Sequence, residues 1–435
     1  MTGAAADPTP DKTIPASVIV VSRHRPGALL RCLTALAQSD HPCFEVIVVA
    51  DPGGLAAVAQ SVFRDTVKTA ACDVANIPLA RNTGLGLAAA PVVAFIDDDA
   101  VAESTWLSRL TAPFANPRVS AAGGFVRGRN GISHQWKARE IDRDALETPL
   151  TVDETRVSLH RPATGRAIKT EGTNCAFRRR ELMRIGGFDP AYAFFLDEAD
   201  VNMRLTGAGA TTAIVPGAEV HHGFAASERR NHNRAPLSLH DIGASTAAFL
   251  RRHGGDRAHA LARLRSEQRR RLLRMMVDGR LTPGDVGRLL TTLEAGIADG
   301  MQRPLGALKP LASGAAPFLP LEGTGPRPHR VIAGWFWRRA ALHRAALALA
   351  ASGDVVTVIR LSPGARPHRM RFAGGGYWEQ TGGVLGPAER DGPKFIPMGL
   401  AQRTAREVAR ISAVRPELLP ADMPKFDDFS LFKRV

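Results

Sequence analysis

Three consecutive carboxylates, Asp97, Asp98 and Asp99, close an apolar run that begins at Val92. Acidic groups this close repel one another, and at the end of a buried strand they also lose hydration. A hard divalent cation offsets both costs, because oxygen ligands suit magnesium, manganese or calcium. Side chains alternate along a strand, so Asp97 and Asp99 can serve one site while Asp98 faces elsewhere. A solvated acidic turn that caps the following helix is the competing reading. A second acidic group, Asp197, Glu198 and Asp200, follows the turn Gly186–Asp189 and opens a helical pattern. Taken alone, this group complements a helix dipole, with Asp200 and Arg204 paired four residues apart.

The elements that must position these groups are readable from periodicity. Ala16 to Ser22, Phe44 to Ala50 and Val92 to Asp97 read as buried strands. A weaker strand lies near Ala70 to Val74. Between them, Leu29, Leu30, Leu33 and Leu36 mark a helix face, and helices are expected over Leu55 to Phe63, Leu79 to Ala89 and Ala100 to Leu110. Strands alternating with helices predict a mostly parallel, doubly wound α/β sheet. Ligands of such sheets bind outside the carboxyl ends of the strands, where Ser22, Arg23, Asp51 and Asp97 to Asp99 all fall.

Composition sets the outer bounds. A chain of 435 residues with 44% hydrophobic content can bury a sizeable core in two or more domains. No apolar run is long enough to span a bilayer, and Met1 to Pro15 lacks a signal-peptide pattern, so a cytosolic protein is expected. Its four cysteines lack metal-ligand spacing and read as reduced thiols. The formal net charge of +15 points to anionic company, whether nucleotide phosphates, an anionic membrane face or nucleic acid.

The successive motifs Ser17–Pro26, Val46–Asp51, Ala80–Gly84 and Phe95–Asp99 together resemble the signatures of family 2 glycosyltransferases of GT-A fold, over about residues 15 to 225. The resemblance implies that Ser22, Arg23 and Asp51 hold the nucleotide, although Pro52 and Gly53 depart from the family's usual Gly-Ser after the acidic residue. It implies that Asp97 and Asp99 hold a divalent metal, Mg2+ or Mn2+, on the donor diphosphate, with Asp98 and Arg81 beside it. Glu198 occupies the position of the family's catalytic base, in Asp197–Arg204, where an aspartate is commoner. Of the histidines in Val220–His222, His221 is the preferred partner of the metal or diphosphate. The acceptor is expected near Trp136, Asn174 and Asp197.

The second half is less patterned. A flexible N-terminus (1–14) and the catalytic domain (15–235) would be followed by a helical basic extension (236–301), a linker (302–328), a small α/β or α+β domain (329–420) and a tail (421–435). Arg251 to Arg280 carries ten arginines against Asp256, Glu267 and Asp278, a local excess of seven. Its apolar residues Leu261, Leu264, Leu272 and Met275 fall near one helical face. That helix either packs on the catalytic domain or lies on an anionic membrane.

The expected activity is a metal-dependent, inverting hexosyl or deoxyhexosyl transfer from a nucleotide-sugar donor to a glycan or lipid-linked acceptor. Bacterial surface polysaccharide assembly is the pathway that the resemblance implies, with peripheral contact at the inner face of the membrane. Nucleic acid is not an expected partner, since few aromatics interleave the basic run. The rivals are a nucleotidyltransferase, which would favour a Gly-rich phosphate loop, and a non-catalytic scaffold that uses the basic helix.

Overall fold

Uninterrupted Val, Ile and Phe runs can be buried on both faces only inside a sheet covered by helices, and the computed structural model shows this arrangement. It describes residues 13–223, 229–231, 233–312, 314, 316–416 and 418–420. In chain order come β1 (Ala16–Ser22), α1 (Pro26–Leu36), β2 (Phe44–Ala50), α2 (Pro52–Ala59), β3 (Lys68–Ala71), α3 (Ile77–Leu87), β4 (Val92–Asp97), β5 (Ala100–Ala102), α4 (Trp106–Thr111) and β6 (Val119–Arg127). The short strands β7 (His134–Trp136), β8 (Arg139–Asp142), β9 (Glu147–Pro149), β10 (Ser158–His160) and β11 (Arg166–Lys169) follow. Then come β12 (Cys175–Arg178), α5 (Arg179–Arg184), α6 (Asp197–Gly207) and β13 (Thr211–His222).

The main sheet runs β10-β13-β6-β12-β4-β1-β2-β3. Strands β4, β1, β2 and β3 are parallel, and β13 is parallel to β6. Only β12, inserted between β4 and β6, runs against both of its neighbours. The carboxyl ends of β1, β2, β4, β6 and β13 therefore share one edge. The mostly parallel α/β architecture expected from the sequence is present.

Alternation along β1 splits the core. Val18 and Val20 pack with Leu29 and Leu33 of α1, while Ile19 packs with Leu85, Phe95 and Phe177 on the other face. Gly84 lets α3 approach closely, since a Cβ there would lie 2.6 Å from Ile19 Cγ2. One local expectation fails. The helix predicted from Ala100 begins only at Trp106, because Ala100–Ala102 instead forms β5 and pairs with β13. Strand pairing with a distant segment outweighs the weak local propensity of that stretch.

Beyond the sheet lie α7 (His240–His253), α8 (Arg257–Val277) and α9 (Pro283–Gln302). Leu264 and Leu272 of α8 pack with Leu289, Leu293 and Ile297 of α9, so the apolar stripe of the basic helix faces protein. Residues 303–328 hold no helix or strand among those described, yet they are bound along the first sheet's domain. The Leu311 amide donates to Met183 O, and the Leu321 amide to Phe44 O.

The remaining elements are β14 (His329–Trp335), α10 (Arg339–Ala351), β15 (Val355–Ser362), β16 (Arg369–Phe372), β17 (Trp378–Gly383), α11 (Leu400–Ser412) and β18 (Leu418–Pro420). They form a second sheet ordered β16-β17-β15-β14-β18. The tail 421–435 and most of the N-terminal stretch 1–14 lie outside the described residues.

Candidate active site

The first turn after β1 is tied down by carboxylates. Asp51, the N-cap of α2, accepts hydrogen bonds from the His24 amide (2.9 Å) and the Gly53 amide (3.1 Å). Burial works against its charge, but these amides hold its carboxyl below the ordinary range. Asp98 is fully buried, accepts from Ser22 Oγ at 2.7 Å and meets Arg25 Nη2 at 2.7 Å. Burial pushes it up to about 7, against the pull of Arg25 and Ser22. Asp98 and Ser22 thus brace the turn rather than point into the open site. Arg23 is one-third exposed on the rim and reaches Asp73 at 3.1 Å.

Asp97 and Asp99 leave the strand on the other side. Their carboxylates and the imidazole of His222 offer ligand atoms that all lie within 4.8 Å of one another. His222 Nε2 lies 3.3 Å from Asp99 Oδ1, and Arg25 Nη1 lies 3.4 Å from Asp99 Oδ2. Burial works to lower the His222 pKa, yet Asp99 and Asp97 hold it above its ordinary value. Two carboxylates and one imidazole form a donor set that suits a manganese-like cation.

The histidine assignment needs correction. His221, favoured from sequence, faces away from the carboxylates. Its Nε2 lies 2.7 Å from Glu103 Oε1, and its ring packs on Trp378 at 4.4 Å. The reason is the β5–β13 pairing, which sets His222 opposite Ala100, immediately after Asp99. A one-residue step along a strand reverses the face.

Arg81 is likewise a positioning group and is not open to a donor phosphate. It is buried, with Nη1 2.6 Å from Asp197, Nη2 donating to Gly172 O at 3.0 Å and lying 3.5 Å from Asp97. The rings of Phe188 and Phe95 lie 5.2 and 5.8 Å from its guanidinium carbon. It therefore links the edge that carries Asp97 and Asp99 to the start of α6. Asn82 fixes the neighbouring turn, since its side chain exchanges two hydrogen bonds with the Phe188 backbone. Asn174 also departs from expectation. It is fully buried, accepts from Trp106 Nε1 (2.8 Å) and donates to Phe125 O and Ala218 O (2.9 Å each). Its side chain is buried and bonded within the fold, which rules out acceptor contact. Asp197 is committed to Arg81.

Glu198 sits beside a lysine that sequence reasoning did not single out. Lys169 Nζ lies 2.7 Å from Glu171, 3.4 Å from Glu147 and 3.4 Å from Glu198. The Trp136 ring covers the same ammonium at 4.1 Å. Burial works against the Glu198 charge, but Lys169 and Arg81 hold its pKa below the ordinary value. Burial raises the adjoining Asp197 to about 7, against the pull of Arg81. Asp200 is braced separately by Arg204 Nε (2.8 Å) and His253 (2.9 Å).

Residues 14–235 match the family described as Glycosyltransferase like family 2. The chain belongs to this family. It is 27% identical over 218 residues to a Pre-mycofactocin glycosyltransferase of Mycobacterium tuberculosis, covering 47% of this chain and 42% of that protein. It is 32% identical over 117 residues to a Glucosyl-dolichyl phosphate glucuronosyltransferase of Haloferax volcanii, covering 26% of this chain and 34% of that one. The chain thus spans less than half the length of the curated relatives it matches. A mannosyltransferase from Pyrobaculum calidifontis, solved with GDP-Man and Mn2+, aligns at a TM-score of 0.42 and 17% identity, over 68% of this chain and 89% of that one.

Three residues that shape the candidate site or its support escaped sequence reasoning: Arg25, Lys169 and Glu103. Lys169 falls in the weakly patterned stretch 118–170, and no spacing there announces it. Glu103 is identified only by its partners, Arg415 Nε at 2.8 Å and Nη2 at 2.9 Å, which belong to the second sheet's domain. No described helix is long and apolar enough to cross a membrane.

Proposed function

We propose that the protein is a metal-dependent, inverting glycosyltransferase that takes a hexosyl or deoxyhexosyl group from a nucleotide-sugar donor. The observation that carries this reading is the Arg81 bridge, which holds Asp97 of the ligand set and Asp197, next to Glu198, on one guanidinium. A cation site and a carboxylate base thereby face the same edge of the sheet.

In this reading the nucleotide lies against the turn that Ser22, Arg25, Asp51 and Asp98 brace, with Arg23 at its rim. Asp97, Asp99 and His222 would hold Mg2+ or Mn2+, which when bound supplies positive charge to the donor diphosphate. Glu198 accepts the proton of the acceptor hydroxyl as its oxygen bonds to the anomeric carbon. The bond to the diphosphate breaks on the opposite face, so configuration inverts. Lys169 and Arg81 keep Glu198 ionised and oriented without touching the sugar. The half-buried Trp136 offers its ring to the acceptor glycan, and a lipid-linked acceptor in surface polysaccharide assembly fits the site's basic surroundings.

The test is binding and turnover across a panel of nucleotide sugars, with manganese or magnesium and then with chelator. We expect one donor to bind in a metal-dependent manner. Asp99→Ala should weaken that binding by tenfold or more, about 1.4 kcal/mol. Glu198→Gln should keep donor affinity and lose turnover. Metal-independent donor binding, or full turnover by Glu198→Gln, overturns the proposal.

A further inference from the structure

The stretch that follows Asp99 is held by the second sheet's domain at successive residues. Val101, at the centre of β5, is buried in the same apolar cluster as Val331, Ile359, Phe372 and Trp378. Glu103 accepts from Arg415 Nε at 2.8 Å and from Nη2 at 2.9 Å. Ser104 Oγ lies 3.1 Å from His329 Nε2, and Thr105 Oγ1 donates to Val414 O at 2.7 Å.

Four buried side chains, Glu103, His221, Trp378 and Arg415, make up the centre of this junction. Glu103 Oε1 also lies 2.7 Å from His221 Nε2, so one carboxylate joins the end of β5 to β13 and to the second domain. The Trp378 ring meets both of its partners. Its centroid is 4.4 Å from that of His221 and 4.3 Å from the Arg415 guanidinium carbon. Arg415 Nη1 donates to Thr357 Oγ1 at 2.6 Å, which anchors the arginine on β15.

Strand β5 is only three residues long, and so short a strand is weakly held by pairing alone. Successive side chains of a strand face opposite ways. Val101 and His221 stand opposite each other and are both covered by the second domain. Ala100 and His222 are therefore turned to the other face, where His222 Nε2 lies 3.3 Å from Asp99 Oδ1. Groups behind a metal ligand fix its orientation, and losing one typically costs about ten- to a hundredfold in metal affinity. We infer that Arg415 and Trp378 are positioning residues, which hold Glu103 and His221 and so keep His222 aimed at Asp97 and Asp99. The second domain is thus part of the cation site without supplying a ligand. Its effect on a cation rests on the metal-dependent reading above, whereas the clamp on β5 and β13 does not.

The experiment is manganese titration of the full chain, read by the electron paramagnetic resonance signal of the free ion. Amide hydrogen exchange is followed in parallel across residues 100–102 and 220–222. Wild type, Arg415→Met, Arg415→Lys and Leu342→Ala are compared, each checked for folding by far-ultraviolet dichroism. Lysine keeps the charge but not the two-bond fork. Leu342 is buried in a different apolar cluster with Ala346 and Val356, so Leu342→Ala weakens the second domain without touching the junction. We expect manganese to bind about tenfold more weakly to Arg415→Met, by an intermediate factor to Arg415→Lys, and unchanged to Leu342→Ala. Exchange should quicken on both strands in the two Arg415 variants. Wild-type affinity in Arg415→Lys overturns the positioning role, and this variant carries the test if Arg415→Met does not fold. An equal loss in Leu342→Ala reduces the effect to general destabilisation and also overturns it. If wild type itself binds no manganese, the metal-dependent reading fails. Quicker exchange in Arg415→Lys then still establishes the clamp, and unchanged exchange overturns that too.

Discussion

Replacing Lys169 by Met tests whether that lysine keeps Glu198, the proposed base, ionised. In the wild type its carboxylate lies 3.4 Å from the Lys169 ammonium, which is 5% exposed. At an effective dielectric of about 20, that pair is worth about 5 kcal/mol as an upper bound. Glu171 and Glu147 share the same ammonium, and without it they compete for the proton the cluster takes up. The expected displacement is therefore smaller than that pairwise bound. Its sign is fixed. Loss of the cation favours protonated Glu198, so the acid limb of kcat moves upward and activity falls at pH values where wild type is still flat. The assay is a kcat–pH profile of both proteins at saturating donor, with far-ultraviolet dichroism to check folding. Superimposable acid limbs would refute the idea that Lys169 holds the charge of the reacting carboxylate.

Two further predictions concern stability. Arg415→Met leaves Glu103, 1% exposed, without its two-bond partner, and should cost about 3–5 kcal/mol in denaturant unfolding. Adding Glu103→Leu should recover a large part of this, so strictly additive losses in the double-variant cycle would sink the assignment. His41 is buried and burial depresses its pKa to about 4. The unfolded chain binds the proton first, so this group's stability is full above pH 6.5 and declines as pH falls towards 4, by about 3 kcal/mol in all. His41→Asn should unfold with that much less dependence on pH between 6.5 and 4, and an unchanged slope would dismiss the effect.

The sequence was most informative where one signal had only one structural use. Buried runs such as Phe44 to Ala50 can only be inner strands, and their bounds agree with the structure. The fold class and the family followed from such runs and from the order of the motifs. What could not be read was the identity of partners across the sheet. Nothing local distinguishes His221 from His222, because the pairing of β13 with β5 decides which ring faces Asp99. Arg81 and Asn174 have the types expected of ligand-binding residues, yet both are consumed by contacts more than forty residues away in the chain. Lys169 and Glu103 carry no pattern at all, since each acquires meaning only from carboxylates or arginines that the tertiary fold delivers.

Charge matching around the site explains why some carboxylates are structural and others available. Asp98 answers to Arg25 and Ser22, Asp197 to Arg81, Asp200 to Arg204 and His253, and Glu103 to Arg415. Each of these carboxyl groups has a cationic partner within hydrogen-bond reach. Asp97 and Asp99 differ in degree. Asp97 is over one-third exposed in its side chain, and its cationic neighbour Arg81 is 3.5 Å away and bound more closely by Asp197. Asp99 meets Arg25 and His222 at 3.4 and 3.3 Å, each longer than the pairs just named. In the proposed reading, a divalent cation held by Asp97, Asp99 and His222 would add positive charge at this edge. The donor diphosphate would meet that charge, and Glu198, held below the ordinary carboxylate range by Lys169 and Arg81 against the effect of burial, would be ready to take the acceptor proton.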